Sequence, residues 1–292
     1  MQLSDLGENG LIRLLTSTWR GGRGVRVGVG DDCAVLESGR KGEWLLYKTD
    51  AVVESVHFTP TENSVLVGRK ALARAISDIA AMGGEPWAAL VTIGVPKNTS
   101  VARLRGIYRG LEKVARHYGV ALVGGETTRA RQLFLSVSLV GKTTHYEPVL
   151  RSTGRVGDLL FVTGRLGGTI SGKHLRFEPR VKEGQWLARH GLARAMMDLS
   201  DGLGADLPRL AKASKVGFRL EWDAVPCNRG VSVEEALQGG EDYELLFAVS
   251  PRDAKRLLRR WPFPLALTCI GALTKTRKDL HGGGGFDHFR QR

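Results

Sequence analysis

Carboxylates beside glycines, or at the ends of apolar runs, recur along the 292 residues of this chain. They fall at Gly30-Asp31-Asp32, Lys48-Thr49-Asp50, Ser77-Asp78, Gly124-Gly125-Glu126-Thr127, Asp198-Leu199-Ser200-Asp201-Gly202 and Gly239-Gly240-Glu241-Asp242. Any one of these is explained by turn and cap chemistry, because an Asp side chain accepts local backbone hydrogen bonds. Their repetition points elsewhere. A carboxylate at a strand end packs poorly and lines a cleft well, and several that converge resist ionisation by mutual repulsion. A divalent cation removes that conflict. Magnesium favours oxygen ligands, retains waters, and bridges protein carboxylates to substrate phosphates. The chemistry these residues suit is phosphate handling.

A second phosphate motif competes with this reading. Gly167-Gly168-Thr169-Ile170-Ser171-Gly172-Lys173-His174 fits GxxxxGK[ST] except at its last place. A P-loop sets that final hydroxyl on magnesium, and His174 has none to offer. The segment therefore reads as a glycine-rich turn whose amides can still face a phosphate. There is no HExxH and no GxSxG. His57, in Glu54-Ser55-Val56-His57-Phe58, follows the acidic Asp50 and reads equally as a surface or capping histidine.

Composition narrows the class. The chain is 42% hydrophobic and 25% charged, as globular proteins are. No run of eighteen apolar residues occurs, so no membrane helix is expected. The beginning, MQLSDLGENG, lacks the basic and apolar blocks of a signal peptide. Cys33, Cys227 and Cys269 form no CxxC pair and read as reduced thiols in a cytoplasmic protein. The net charge of +13 comes from 43 Lys+Arg against 30 Asp+Glu. Much of it lies on helical segments, at 103–116 and 255–260, where it reads as solvated helix face. Neither zinc spacing nor an aromatic-plus-basic motif accompanies it, so no nucleic-acid partner is expected.

The elements that must position the acids alternate between helix and strand. Ser4 reads as the cap of an amphipathic helix carrying Leu6, Leu11, Ile12, Leu14 and Leu15. Strand-like runs cover 32–36 and 44–49. Helical apolar spacing covers 65–82 and stops at Gly83-Gly84. A strand (88–95), a helix (101–118) and two strands (120–123, 133–140) follow. The second half gives strands at 159–163, 218–221, 243–249 and 267–273, with helices at 206–213 and 253–261. The best boundary lies near 148–157, and 282–285 reads as a loop before an aromatic segment, 286–289. Such alternation predicts sheets backed by helices.

Taken in order, the motifs GDDCAVL (30–36), KTDAVVESVHF (48–58), SDIAAMGGEP (77–86), VGGETT (123–128), RSTGRVGD (151–158), VTGRLGG (162–168), DLSDGL (198–203), GGEDYELLF (239–247) and GFDHF (285–289) resemble the thiamine-monophosphate kinase family. That family shares a superfamily with aminoimidazole ribonucleotide synthetase and selenophosphate synthetase. The resemblance implies an α/β (α+β) fold of two domains, 1–150 and 151–292, the first pairing its sheet across a homodimer with ATP near the interface. It implies ATP-dependent phosphorylation of thiamine monophosphate by direct, magnesium-assisted in-line transfer.

Carried over motif by motif, Asp31, Thr49, Asp50, Asp78, Asp198 and Asp201 match magnesium ligands, and Glu126 stands where the family usually has an aspartate. Tyr108, Gly125, Glu126, Arg151 and Ser200 match positions touching ATP. His57, Glu241 and Phe286 match positions touching thiamine phosphate. Asp50, Asp78, Arg151 and Asp201 match the centre of the reaction. Lys48 replaces a common Ser or Thr of the family. The alternatives are a sibling ATP-dependent synthetase and a non-catalytic homologue binding anions or nucleic acid. The chain begins directly with a helix rather than a glycine-rich or cysteine-bearing loop, which disfavours the synthetase.

Overall fold

The apolar spacing of 65–82 becomes helix α2 (Ser64–Ala81), capped by the Asn63 side chain, which accepts from the Val65 N–H. The helix stops at Gly83, whose φ of 74° is the left-handed conformation glycine adopts without strain. These features belong to a computed structural model that describes residues 2–276 with Gly285, Phe286 and His288. The rest of the loop expected over 282–285, and residues 287 and 289 of the aromatic segment, lie outside the described residues.

Helix α2 lies on the first sheet. Strands β1 (Val25–Val27), β2 (Ala34–Glu37), β3 (Glu43–Val53), β4 (Glu85–Val95), β5 (Ala121–Arg129) and β6 (Phe134–Thr144) run in the order β1-β2-β3-β6-β4-β5. Only β4 and β5 pair in parallel, joined through helix α3 (Val101–Tyr118). Alternate residues of β3, β4 and β6 face the helices, among them Leu46, Val52, Ala89, Val91, Leu135, Val137 and Leu139, and they fill one core. Helix α2 and helix α3 touch backbone to backbone. A Cβ on Gly68 would lie 1.9 Å from the Ile107 carbonyl oxygen.

The second sheet contains β7 (Leu159–Thr163), β8 (Ala195–Asp198), β9 (Gly217–Leu220), β10 (Leu245–Val249) and β11 (Leu267–Thr274), in the order β8-β10-β7-β11-β9, with every neighbouring pair antiparallel. Both faces are covered. Leu246 and Ala248 of β10 enter one core, while Leu245, Phe247 and Val249 enter another. Helix α1 (Leu3–Thr16) precedes the first sheet; α4 (Val181–Arg189), α5 (Leu203–Ala213), α6 (Val233–Gln238) and α7 (Pro251–Arg260) accompany the second. The end of α2 is shared by the two halves: Ala81 packs with Phe161 and Leu187, and a Cβ on Gly184 of α4 would lie 2.1 Å from the Ala80 carbonyl.

The helix expected behind Ser4 starts one residue before it. Gln2 precedes the first turn and its N–H donates to Asp5 at 2.7 Å, so Ser4 lies inside α1 and not at its cap. The helix is interrupted at Gly7, where φ is 64°. Strands β1 and β8 and helices α4 and α6 were absent from the sequence reading. Strand β8 is four residues long and buried throughout, so it shows no inside–outside alternation to read.

Candidate active site

Three buried carboxylates meet where the two halves touch. Oxygens of Asp32, Asp78 and Asp198 all lie within 4.8 Å of one another. Asp32 stands in the loop before β2, Asp78 on the last turns of α2, and Asp198 at the end of β8. Ser77 Oγ donates to Asp198 Oδ2 at 2.6 Å. Arg151 grips Asp32 with two guanidinium nitrogens, Nε at 3.1 Å from Oδ2 and Nη2 on Oδ1, and its backbone N–H donates to Asp31 Oδ2 at 3.1 Å. From β3, Lys48 Nζ reaches Asp78 Oδ1 at 2.9 Å.

The electrostatics follow from this crowding. Burial, then the charge of Asp32, pushes Asp198 up to about 6 and Asp31 up to about 7. Burial lifts Asp78 well above the carboxylate range, with Lys48 opposing and Asp198 reinforcing. Burial works against the Lys48 ammonium, yet Asp78 and Asp50 outweigh it and hold its pKa above the ordinary lysine range. All-oxygen donors held close and short of positive charge suit a small hard cation, and magnesium fits them.

Helix α2 organises what surrounds the triad. Lys70, Arg74 and Asp78 recur every four residues and so share one helix face. Arg74 Nε lies 3.1 Å from Asp50 Oδ2. Lys70 is fully buried, and its Nζ has three partners: His57 O at 2.6 Å, Glu241 Oε2 at 2.6 Å and His174 Nδ1 at 2.9 Å. Burial alone would raise Glu241, but the hydrogen bond at His174 and the charge of Lys70 bring it down to about 2, so it is ionised. Burial and Arg74 push His57 down to about 4. His57 Nδ1 accepts from the Val53 N–H at 3.1 Å, which leaves the proton of the neutral ring on Nε2.

The C-terminal segment returns to these side chains. The Phe286 N–H donates to the Asp201 carbonyl at 2.9 Å, and His288 stands between the rings of Phe286 and His57, with centroids at 4.9 and 5.4 Å. Glu241 and Tyr243 both adopt left-handed φ, 65° and 52°, a strain tolerated where a loop is fixed on both sides. That loop is fixed by the Glu241 N–H on the Ser200 carbonyl and the Tyr243 N–H on the Leu199 carbonyl.

The residues singled out from sequence divide into four groups. Asp78 and Asp198 belong to the triad, and Asp31, Asp50 and Arg151 lie beside it. His57, Glu241 and Phe286 belong to a neighbouring group with Lys70 and His288. Asp201 is held by Arg209, which also binds Asp206 at 2.8 Å. Ser200 holds the Glu241 loop through its carbonyl, and the others lie away from the triad. Register pairs Thr49 with Ser138 and Glu126 with Thr92, which places both on the face of the first sheet opposite α2. There Thr49 Oγ1 lies 3.4 Å from Ser136 Oγ and 3.3 Å from Ser138 Oγ. Tyr108 is exposed on α3. Gly125 has a φ of 153°, and a Cβ there would lie 1.8 Å from the Val91 carbonyl, so β5 depends on its being glycine.

Asp32, Lys70 and Arg74 were not among the residues chosen from sequence, although the spacing of Lys70, Arg74 and Asp78 inside an apolar helix carried the signal. The turn at 167–174 does not offer its first amide to a phosphate. The Gly167 N–H donates to Asp242 Oδ1 at 2.9 Å, and His174 is buried against Lys70.

Residues 30–143 match the family described as AIR synthase related protein, N-terminal domain, and residues 155–279 the corresponding C-terminal domain. Thiamine-monophosphate kinase of Rhodopirellula baltica is 37% identical over 79% of this chain and 78% of its own length. The Escherichia coli enzyme of the same name is 33% identical over 97% and 98%. The solved structure of AaThiL complexed with AMPPCP and TMP has a TM-score of 0.87 at 30% identity, covering 99% of each chain. With two curated relatives above 30% identity over most of its length and a shared fold from end to end, the chain belongs to the thiamine-monophosphate kinase family of AIR synthase related proteins.

Proposed function

We propose that the chain transfers the γ-phosphoryl group of ATP to thiamine monophosphate, giving thiamine diphosphate. The convergence of Asp32 and Asp198 on Asp78, which shares α2 with Lys70 of the Lys70–Glu241 pair, carries this reading. The acceptor is itself a phosphate, ionised at neutral pH, so no side chain has to remove a proton. The difficulty is to bring two anions together in line. Asp32, Asp78 and Asp198 would hold magnesium, which would supply neutralisation of the phosphate charge.

The chain's own residues do the rest. Arg151 and Arg74 bring fixed positive charge to the borders of the triad, and both are already oriented by Asp32 and Asp50. The Nε2–H of His57 is a neutral donor suited to the incoming phosphate or its bridging oxygen. Glu241, kept ionised by Lys70, is suited to the cationic thiazolium, and Phe286 offers a ring for the heterocycle to stack on. Gly125 and Tyr108 belong in this reading to the nucleotide side, together with Ser200 and Glu126.

Residues 1–150 form the nucleotide- and metal-binding part and 151–292 complete the site; the two family matches fall on either side of that division. The protein acts as a homodimer in the cytoplasm, a reading in keeping with its three free thiols. No described helix is long and apolar enough to cross a membrane.

The test is purified protein with ATP, magnesium and thiamine monophosphate, followed for thiamine diphosphate by chromatography. Absence of product with magnesium, manganese and cobalt alike overturns the reading. Direct transfer further requires inversion at the γ-phosphorus of chirally labelled ATP; net retention would replace it with a phosphoenzyme.

A further inference from the structure

Lys48 is a permanent cation inside the acid cluster. Its position leaves it little choice. In β3 it stands on the face directed at α2, between Leu46 and Asp50 and opposite Leu139 of β6, with a quarter of its side chain exposed. Its ammonium lies 2.9 Å from Asp78 Oδ1, and Asp50 adds to its charge balance. Ionised to hold a cation, the three clustered aspartates carry three negative charges. Lys48 and Arg151 already answer two of them, one on Asp78 and one on Asp32.

One divalent ion added to this cluster leaves it near neutrality; a second leaves a large buried positive excess. Lys48 already takes up Asp78 Oδ1, which leaves the cluster short of free oxygens for a second ion, and magnesium demands close, near-octahedral oxygens at about 2.0–2.1 Å.

We propose that Lys48 takes the place of one divalent cation, so that the Asp32–Asp78–Asp198 cluster binds a single ion and relies on the tethered ammonium for the remaining charge. The inference rests on the phosphoryl-transfer reading of the site but concerns its ion count. It assigns Lys48 a positioning role: it acts through Asp78 and not on the phosphates. A lysine whose role was only structural would leave the ion count alone.

Titration of nucleotide-free protein with Mn2+, read by the electron-paramagnetic signal of the free ion, measures that count. The variants are Lys48→Thr, Lys48→Met and Lys48→Arg, with Asp78→Asn marking which binding belongs to the cluster. Wild type and Lys48→Arg are expected to bind the same number of ions. Lys48→Thr is expected to bind one more per chain, with the first ion held on the order of tenfold tighter or better, because a unit charge a few ångströms away has gone. Lys48→Met separates loss of charge from gain of a hydroxyl ligand and should also bind the extra ion. It serves alone if the Thr variant does not fold.

Equal counts in wild type, Lys48→Thr and Lys48→Met overturn the inference. If the wild type still makes thiamine diphosphate in that case, the functional reading survives it. If no protein binds Mn2+ in a manner sensitive to Asp78→Asn, both fall.

Discussion

Asp78 is buried, and both its charge and its geometry are committed, to Lys48 on one oxygen and to the triad as a whole. Asp78→Asn keeps the volume and removes the charge. We expect turnover to fall on the order of 10³-fold, the scale of losing metal-assisted charge stabilisation, while circular dichroism is unchanged; near-normal turnover would remove Asp78 from the reaction centre. Asp242 makes a different residue-scale prediction. It is 1% exposed, Oδ1 accepts from Gly167, and Oδ2 has no hydrogen-bond partner among the described residues. Burial pushes it up to about 7, despite the Gly167 hydrogen bond. Because the folded pKa lies above the unfolded one, its contribution to stability is complete below about pH 4 and is lost as pH rises through about 7. Asp242→Asn removes that loss. Its melting temperature should exceed wild type at pH 8, by an amount corresponding to a few kcal/mol, and the two should converge as pH falls to about 4. Parallel melting curves across that range would mean Asp242 ionises in the folded protein as it does unfolded.

At the scale of elements, α2 carries the site. Lys70, Arg74 and Asp78 reach Glu241, Asp50 and Lys48 from one face, so a shift of the helix displaces all three contacts together. Gly68 sets the spacing from α3. Gly68→Ala would press a methyl group into the Ile107 carbonyl, and we expect about 1–3 kcal/mol of destabilisation in urea unfolding together with reduced turnover. Unchanged turnover alongside that destabilisation would detach the site from the α2–α3 packing. Elements of this kind were legible in the sequence. The helix at 101–118 and the strand at 159–163 have the expected bounds, and α2 departs by one residue at each end, because long or strongly apolar runs announce their period. Strand β8 and helix α6 were not legible, being four and six residues long, too short to establish any period. The same holds within the site. Ser77-Asp78 and Asp198 stood out as acids at element ends. Of the neighbours Asp31 and Asp32, sequence gave no means to tell which carboxyl turns into the triad, since that depends on the loop conformation before β2 and on Arg151 from 119 residues away. Nothing local in the sequence pairs Lys70 and Arg74 with acids, because the two carboxylates that meet them come from the loop before β10 and from β3.

For the whole molecule, the informative surface is the face of the first sheet turned away from α2. Strands β3, β4 and β6 hold their apolar residues toward the helices, yet Tyr47, Leu90 and Val123 on or beside the other face are 46%, 46% and 63% exposed, and Trp87 is 51% exposed with Lys142 5.5 Å from its ring. A large exposed apolar patch on a sheet asks to be covered. A second copy presenting the same face would cover it symmetrically, as two-fold pairing requires. Thr49, assigned to magnesium, and Glu126, assigned to magnesium and the nucleotide, lie on that face, with Gly125 beside Glu126 on β5, so these three would be gathered at the joint between copies. A homodimer of this kind would complete the site as well as cover the patch. Light scattering of the purified protein should report twice the mass of one chain. Leu90→Glu, central in the patch on β4, should yield a monomer with native circular dichroism and with turnover lowered through a raised KM for ATP, while the number of Mn2+ ions bound by the buried triad stays the same. A wild-type monomer that is fully active would show that the open face serves another purpose and that Thr49 and Glu126 lie outside the reaction. A Leu90→Glu monomer with unaltered KM for ATP would keep the dimer but place the nucleotide within one chain.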